Sequence, residues 1–137
     1  MLRNLKISLA VLITIIAISA RTSSALVFWV APNGNDSPGN GSEAVPYRTI
    51  QYAVNFSYQF SSDDTIMVKP GTYNEHVTIS GAGGLLVKSQ GGAAVTTING
   101  TYTGTSVQFN LDIGQLTIDG FTITGGLPFG VYAQGFS

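Results

Sequence analysis

VTISG at residues 77–81, TTING at 96–100 and LTIDG at 116–120 are three versions of one phrase, Thr-Ile-X-Gly. The isoleucines of the phrase stand at positions 79, 98 and 118, so the copies recur at nearly equal intervals. Val68, Val87 and Val107 recur at the same spacing, and the intervening segments contain strand-forming and turn-forming residues. A period of about 20 residues with these signals is typical of a β-solenoid, in which each coil repeats the one before it.

Stacking of equivalent residues is the structural consequence of such a period. Successive coils lay parallel strands about 4.8 Å apart and in register, so matching positions form columns. The isoleucines of the three phrases are therefore predicted to stack inside the coils: Ile79, Ile98 and Ile118. The polar residues that follow them are predicted to stack outside: Ser80, Asn99 and Asp119. The glycine that ends each phrase suits the tight backbone of a corner.

The fold class that follows is all-β, a right-handed parallel β-helix of about three to four coils, each of about 19–20 residues. Three alternatives remain. A β-sandwich also has short strands at regular spacing, but it does not require equivalent residues to recur at a fixed period. A leucine-rich repeat needs Leu-rich motifs, which are missing from this sequence, and a left-handed β-helix usually shows six-residue sub-periods, which we do not find.

The N-terminal segment, residues 1–25, differs from the rest. A short start with Arg3 and Lys6 precedes the apolar run Ile7–Ala20, and small residues follow up to Ala25. This order predicts a secretory signal peptide over residues 1–25, with an uncleaved anchor as the alternative, because the run is short for a membrane-spanning helix. We therefore expect a secreted protein, extracellular or at the cell surface, with no membrane span after cleavage.

Composition limits the partners. The chain has 137 residues, which suggests a single domain, and 44% of them are hydrophobic, which argues against disorder. Lys and Arg together number only 6, and no basic run follows the N-terminus, so the chain lacks the electrostatic features of a nucleic-acid binder. The sequence contains no Cys, so an exported domain would have to be stable without disulfides.

Two regions follow the signal sequence. Residues 26–64 are predicted to contain the strand Leu26–Ala31, a loop over Pro32–Pro46 and a helix over Thr49–Phe60, for which an aromatic-rich strand is the alternative. Residues 65–137 are predicted to form the parallel coils. Pro70-Gly71 favours a type II turn, which does not match the twist of a tight hairpin, so we expect a corner there.

Three stretches of the sequence resemble a known family: Trp29–Asp36 (WVAPNGND), Pro46–Gln51 (PYRTIQ) and Asp64–Glu75 (DTIMVKPGTYNE). They are similar to the N-terminal part of right-handed parallel β-helix proteins of the pectate-lyase-like superfamily. More narrowly, they resemble an uncharacterised N-terminal domain of secreted β-helix proteins, some of which are polysaccharide lyases. The likeness covers about residues 28–126 and implies that the helix over residues 49–60 caps the N-terminal end of the solenoid.

The resemblance brings no catalytic residue. In enzymes of this superfamily the catalytic Arg or Lys and the calcium-binding acids lie on later, central coils. Leu127–Ser137 begins a fourth coil and carries no cap. We therefore expect the front end of a longer protein, a truncated product, or a chain whose C-terminal solenoid edge needs further coils or a partner.

Candidate ligand-facing residues come from the predicted columns. Lys69, Lys88 and Gln108 would form a polar column that could bind a sugar carboxylate or supply a lyase base, and a solvated outer face is the simpler interpretation. Asn99 and Asp119 would add oxygen atoms beside it. The predicted cofactor set is none, although calcium remains an alternative, since the loop residues Asn33, Asn35 and Asp36 offer oxygen ligands. Turn chemistry alone also explains those three residues.

The function predicted from these features is a secreted β-helix domain that is carbohydrate-associated or mediates cell-surface interaction, without a complete active site. One alternative is the N-terminal fragment of a polysaccharide lyase or glycoside hydrolase whose catalytic coils lie elsewhere, so enzymatic activity stays open. Another is a structural or water-ordering solenoid, suggested by a predicted outward column of threonines: Thr78, Thr97 and Thr117.

Overall fold

The computed structural model describes five segments of the chain: residues 25–58, 63–80, 84–101, 104–111 and 115–135. The predicted signal sequence lies outside the described residues except for Ala25. No helix in the described segments is long and apolar enough to cross a membrane.

Short strands make up most of the regular secondary structure in the described segments. The first strand, β1 (Val27–Val30), precedes the one helix of these segments, α1 (Ile50–Ser57). Nine further strands follow in chain order: β2 (Asp64–Val68), β3 (Gly71–Asn74), β4 (Val77–Ser80), β5 (Leu85–Ser89), β6 (Thr96–Asn99), β7 (Val107–Leu111), β8 (Leu116–Asp119), β9 (Thr122–Thr124) and β10 (Val131–Gly135).

The strands pair in three parallel sheets. Sheet A has the order β1-β2-β5-β8, sheet B has the order β3-β6-β9, and sheet C has the order β4-β7-β10. From β2 onward the chain visits sheets A, B and C in that order three times. We call one such passage a rung, so β2, β3 and β4 form the first rung and β8, β9 and β10 form the third. The all-β, parallel prediction is confirmed at this level.

One hydrophobic core is shared by all three sheets and the helix. Inward residues alternate with outward ones along each strand, as the burial of Asp64, Ile66 and Val68 in β2 shows. The core is formed by apolar residues from the three sheets, the helix and the segment before it: Phe28, Val30, Tyr47, Ile50, Ala53, Val54, Ile66, Val68, Tyr73, Val77, Ile79, Leu85, Val87, Ile98 and Val107.

The helix forms where the apolar spacing predicted it. Its buried face consists of Ile50, Ala53, Val54 and Ser57, which is the i, i+3, i+4, i+7 set expected for one side of a helix. Thr49 caps the start, because its side chain accepts a hydrogen bond from the Tyr52 amide at 3.3 Å. The helix ends before the predicted limit, and residues 59–62 lie outside the described segments.

Two carboxylates from distant segments also bind the start of α1. Asp36 accepts from the amides of Arg48 and Thr49, at 2.8 and 3.1 Å, and from the Thr49 hydroxyl at 2.8 Å. Glu75 accepts from the amides of Ile50 and Gln51, each at 2.9 Å. These acceptors satisfy amides that have no partner within a helix and place negative charge at its N-terminus. The loop and the first rung are thereby tied to the helix.

The predicted stacking of the Thr-Ile-X-Gly phrases is wrong. VTIS at 77–80 forms β4 in sheet C, TTIN at 96–99 forms β6 in sheet B, and LTID at 116–119 forms β8 in sheet A. The isoleucines of the phrases do pack in or against the core, but no two of them are neighbours in a sheet. The column predicted for the polar residues after them fails for the same reason.

The true columns have a longer and uneven period. In sheet A the column runs Ile66, Val87 and Ile118, and its second interval along the chain is about half as long again as its first. The coil length predicted from the phrases is therefore wrong, because the connections between strands differ in length. The predicted valine column is wrong too, since Val68 is paired with Ser89 and Val107 lies in sheet C.

The phrase marks every second strand, whereas a rung contains three. A strand that ends at a corner needs an inward apolar residue, an outward polar residue and then a residue that permits a tight turn, whichever sheet it belongs to. Gly120, which closes the third phrase, has φ +80° and a Cβ there would lie 3.2 Å from Cβ of Ser89. Local strand-and-corner chemistry thus produced a sequence repeat shorter than the repeat of the fold.

The predicted corner at Pro70-Gly71 is confirmed, because β2 before it belongs to sheet A and β3 after it belongs to sheet B. A further corner depends on Ser89, which is buried at the end of β5. Its hydroxyl donates to Oγ1 of Thr96 at 2.6 Å and accepts from the amides of Gly91 and Gly92, at 3.2 and 3.0 Å. A single hydroxyl therefore holds the turn between β5 and β6.

The outer edges of sheets A and C at the N-terminal end are covered by the preceding segment. Backbone groups of the loop pair with β1: the Trp29 amide donates to the Gly41 carbonyl, and the Tyr47 amide donates to the Trp29 carbonyl. The free edge of β4 meets side chains of α1 and its C-cap, since Gln51 binds the backbone of Thr78 and the Tyr58 hydroxyl accepts from the Ser80 amide. Sheets A and C thus have no bare edge at this end in the described segments.

Candidate functional site

The predicted ligand-facing residues do not form one column. Lys88 in β5 is flanked in register by Met67 and Asp119, whereas Gln108 lies in sheet C between Thr78 and Tyr132. Asn99 lies in sheet B. The predicted column of Lys69, Lys88 and Gln108 is therefore wrong, and among the predicted ligand-facing residues only Lys88 and Asp119 are neighbours in register.

The outer face of sheet A carries the largest group of these residues. Its four strands place one residue each in a single outward column, and the order across the sheet is Trp29, Met67, Lys88 and Asp119. Neighbouring strands are about 4.8 Å apart, so this column spans roughly 14 Å. We call it the sheet A column. Trp29 and Met67 are half-buried, and Lys88 and Asp119 are exposed.

Lys69 lies at the aromatic end of the sheet A column. Its Nζ is 5.5 Å from the centroid of the Trp29 ring, which is a cation–π distance, and donates to the Glu43 carbonyl at 3.0 Å. The ammonium is thus held over the face of the Trp29 ring and still carries further N–H donors. An aromatic face next to a fixed cation can contact both the apolar ring face and the acidic group of an anionic sugar.

Lys88 and Asp119 form an ion pair at the other end of the column. The Nζ and Oδ2 atoms are 3.5 Å apart, and the two side chains are 47% and 56% exposed. An exposed pair of this kind adds little stability, so its groups remain available to hydrogen-bond a ligand.

Comparison of the chain with protein-family models, with curated proteins and with solved structures returned no match. The assignment of this surface therefore depends on its geometry.

The outer face of sheet B carries a second regular array. One outward column consists of Thr72, Thr97 and Thr122, and the other of Asn74, Asn99 and Thr124. Asn99 Nδ2 donates to Asn74 Oδ1 at 2.9 Å, and the Thr122 hydroxyl donates to the Ala93 carbonyl at 2.8 Å. The predicted column of Thr78, Thr97 and Thr117 is wrong, because those residues belong to three different sheets.

Asp36, in the loop predicted to offer calcium ligands, binds the start of α1 in the structure. Both carboxylate oxygens of Asp36 accept hydrogen bonds from Arg48 and Thr49. The backbone carbonyl of Asn35 accepts from Nδ2 of Asn40 at 2.7 Å, and Asn33 is exposed in the same loop. No group of three or more His, Cys, Asp or Glu side chains that could hold a metal occurs in the described segments.

Several groups with perturbed or unusual environments lie in the core and at the helix. Burial raises the pKa of Glu75, while its hydrogen bonds from the Gln51 and Ile50 amides lower it. Burial also raises the pKa of Tyr47, whose hydroxyl is buried without a hydrogen-bond partner. The lone His76 has Nδ1 2.9 Å from the Thr105 carbonyl. These contacts are structural, and none of them faces the sheet A column.

Sequence reasoning missed Trp29 and Met67 as surface residues. The alternation of β1 would have revealed the first, because Phe28 and Val30 are the inward residues that flank Trp29. The role of Met67 depends on knowing that β2 lies between β1 and β5. That pairing joins segments far apart in the chain, so no local pattern indicated it.

Proposed function

We propose that this chain is a right-handed parallel β-helix of the pectate-lyase-like kind, exported from the cell, that binds polysaccharide on the outer face of sheet A. Three parallel sheets visited in a fixed order around one core support the fold. The contacts of α1 and the loop with the first strands support the role of this region as an N-terminal cap.

The sheet A column is the observation that carries the binding proposal. Carbohydrate surfaces combine an aromatic platform for the apolar face of a sugar with polar groups for its hydroxyls and acids. Trp29 supplies the platform, Lys69 a cation beside it, and the Lys88–Asp119 pair a donor and an acceptor at the far end. Because two lysines and one acid face this surface, we assign it to acidic polysaccharides in preference to neutral ones.

Calorimetric titration with polygalacturonate oligomers and with neutral β-glucan oligomers of equal length tests this proposal. We expect the acidic oligomer to bind more tightly, with an affinity that falls as salt is raised, because the attraction of exposed charges is screened. Trp29→Ala should weaken binding at least about tenfold, which corresponds to about 1.4 kcal/mol. Lys69→Gln should weaken binding of the acidic oligomer and leave the neutral one unchanged.

Val95→Ala is the matched control, because Val95 is an exposed apolar residue outside sheet A and should leave affinity unchanged. The assignment of this face would be refuted if neither oligomer bound. It would also be refuted if Trp29→Ala and Val95→Ala lowered the affinity equally.

A lyase or hydrolase fragment is a second candidate, and the exposed Lys88–Asp119 pair on the same face is the observation in its favour. Such an enzyme acting on polygalacturonate by elimination would produce unsaturated uronides, which absorb ultraviolet light. Lys88→Met should abolish the absorbance increase if the lysine acts as a base. Hydrolysis gives no such chromophore and is measured by new reducing ends. Binding with neither an absorbance increase nor new reducing ends would exclude cleavage of this polysaccharide.

A water-ordering solenoid is a third candidate. The observation in its favour is the outward column of threonines on sheet B, which replaces the predicted threonine column. Thr72, Thr97 and Thr122 are in register, so their hydroxyls repeat at the spacing of the strands. Thermal hysteresis of a freezing solution measures this activity directly. A hysteresis abolished by Thr97→Tyr but unaffected by Thr78→Tyr on sheet C would support it, and no hysteresis would exclude it.

A further inference from the structure

The backbone nitrogen of Leu26 lies against a buried carboxylate. Its N–H donates to Oδ1 of Asp64 at 2.9 Å, and Asp64 is only 1% exposed at the start of β2. The Leu26 carbonyl accepts from the Thr65 amide at 2.8 Å, directly before the parallel pairing of β1 with β2 begins. The nitrogen is therefore held at the carboxylate by the same ladder that positions β1.

The second carboxylate oxygen of Asp64 has no donor. Oδ2 is buried without a hydrogen-bond partner, and no lysine, arginine or histidine of the described segments pairs with this acid. Its in-register neighbours across sheet A are Leu85 and, one strand further, Leu116. Burial of an ionised carboxylate beside apolar side chains is costly unless a cation and further donors accompany it. A single uncharged amide N–H therefore leaves Asp64 short of donors and of positive charge.

The peptide bond before Leu26 is also the bond that the sequence marks for cleavage. The cleavage site of a secretory signal has small residues at the first and third positions before the bond. Ser23 and Ala25 occupy these positions ahead of Leu26, whereas cleavage after Ala20 would place Ile18 at the third position. Ala25 and Leu26 are both exposed, so their separation opens no part of the core.

We propose that cleavage after Ala25 makes Leu26 the first residue of the exported protein, and that its new α-ammonium forms an ion pair with Asp64. This inference rests on the export that is part of the proposed function. A signal-cleaving protease of the cell hydrolyses the bond with one water molecule, which leaves a carboxylate on Ala25 and an amine, protonated at neutral pH, on Leu26. The ammonium has three N–H donors in place of one, so it keeps the bond to Oδ1 and also serves Oδ2.

Removal of the leader then strengthens the attachment of β1 to β2. In the precursor the Leu26 nitrogen is an uncharged amide, whereas the exported product has a hydrogen bond between two charged groups, which is stronger than a neutral one. The chain therefore reaches its full stability only after cleavage, so that folding is favoured after export.

Export of the full chain from a secretory host, followed by intact mass and N-terminal sequencing, tests the cleavage site, and we expect Leu26 as the first residue. Urea unfolding of this product and of a chain that retains residues 21–25 tests the ion pair. The exported product should have a folding equilibrium constant at least about tenfold larger, as expected for a hydrogen bond between charged groups. Asp64→Asn should abolish this difference. Asp119→Asn, at an exposed acid, is the matched control and should preserve it.

If Asp64→Asn fails to fold, labelling of the exported parent with an amine-specific reagent takes its place. The Leu26 amine should then react more slowly in the folded chain than in urea, and equal rates would overturn the ion pair. Equal stability of the two chains, or a difference that survives Asp64→Asn, would overturn it as well. Export with a different first residue would refute this inference and leave the proposed function intact, whereas a chain that is not exported would refute both. Glycan binding at Trp29 is measured separately.

Discussion

The side-chain amide of Gln51 bonds both the N–H and the C=O of Thr78, as the backbone of a neighbouring strand would. Its Nε2 donates to the Thr78 carbonyl at 3.0 Å, and its Oε1 accepts from the Thr78 amide at 2.6 Å. One helical side chain thus satisfies the two backbone groups of Thr78, which face outward from the edge strand β4. Edge strands in soluble proteins need such protection, because their exposed N–H and C=O groups pair with other chains.

Replacement of Gln51 by Leu should lower the free energy of unfolding by about 1 kcal/mol, because both hydrogen bonds are lost at a site that water can reach. The larger effect should be on aggregation, since the edge of β4 becomes available for pairing. Urea unfolding and light scattering on warming measure the two effects. Gln90→Leu, at an exposed position of a corner, is the control and should change neither; equal scattering from both variants would contradict the edge-protection role.

Tyr47 and Tyr73 offer a matched pair of buried hydroxyls. The Tyr47 hydroxyl has no hydrogen-bond partner, whereas the Tyr73 hydroxyl donates to the Lys69 carbonyl at 2.8 Å. Tyr47→Phe should therefore leave stability unchanged or raise it by up to about 1 kcal/mol, because an unsatisfied polar group is removed. Tyr73→Phe should cost about 1 kcal/mol. Chemical denaturation of both variants decides the point, and a loss for Tyr47→Phe as large as that for Tyr73→Phe would show that its hydroxyl has a partner.

Ser89 is predicted to be the most sensitive serine of the described segments. Ser89→Ala removes the acceptor of two corner amides and the donor to buried Thr96, so it should cost about 1–3 kcal/mol. Ser42→Ala is the control, since Ser42 accepts a single bond, from the Val45 amide, at an exposed position. Thermal unfolding should place the Ser89 variant well below the Ser42 variant. Equal melting temperatures would mean that the corner does not depend on this hydroxyl.

Glu75 should give the protein a pH-dependent stability. Burial raises its pKa above the ordinary value of 4.5, so the folded chain keeps this proton at pH values where the unfolded chain has lost it. Between 4.5 and the raised pKa the folded state binds more protons, and stability contributed by this group falls as pH rises. The stability of the parent relative to Glu75→Gln should therefore decline across that window.

Unfolding free energies of the parent and of Glu75→Gln, measured at several pH values, give this difference directly. The comparison cancels the titration of the other acids, which both chains share. Glu43→Gln, at an exposed loop position, is the control for replacing a carboxylate by an amide away from the start of α1. A difference for Glu75→Gln that grows as pH rises would mean that its hydrogen bonds outweigh its desolvation.

The elements of this fold were readable from local patterns, whereas their neighbours in space were not. The helix followed from the spacing of Ile50, Ala53 and Val54, since a helix that packs on a core buries residues at that period. The corner at Pro70-Gly71 followed from turn chemistry. The predicted register of the strands was wrong because the register depends on the lengths of the connections between strands. Those lengths are unequal, and the sequences of the strands do not indicate them.

The candidate site was predictable only in part, for the same reason. Lys88 and Asp119 were both named as outward residues, and their alternation with inward neighbours is confirmed. Their adjacency arises because β8 pairs with β5 although β6 and β7 lie between them in the chain. The bonds of Glu75 with the start of α1 likewise join two distant segments, so no local motif could reveal them.

The step of the Thr-Ile-X-Gly phrase from sheet C to B to A constrains how such a gene can grow. Copying the unit from one phrase to the next inserts two strands, so every downstream strand would move to another side of the molecule and the outer surfaces would be scrambled. A duplication that spans three strands preserves every surface. Lengthening by unequal crossing-over therefore preserves the outer surfaces only when the duplicated segment is a whole rung of three strands. A duplication with its ends at two successive Thr-Ile-X-Gly phrases does not meet this condition.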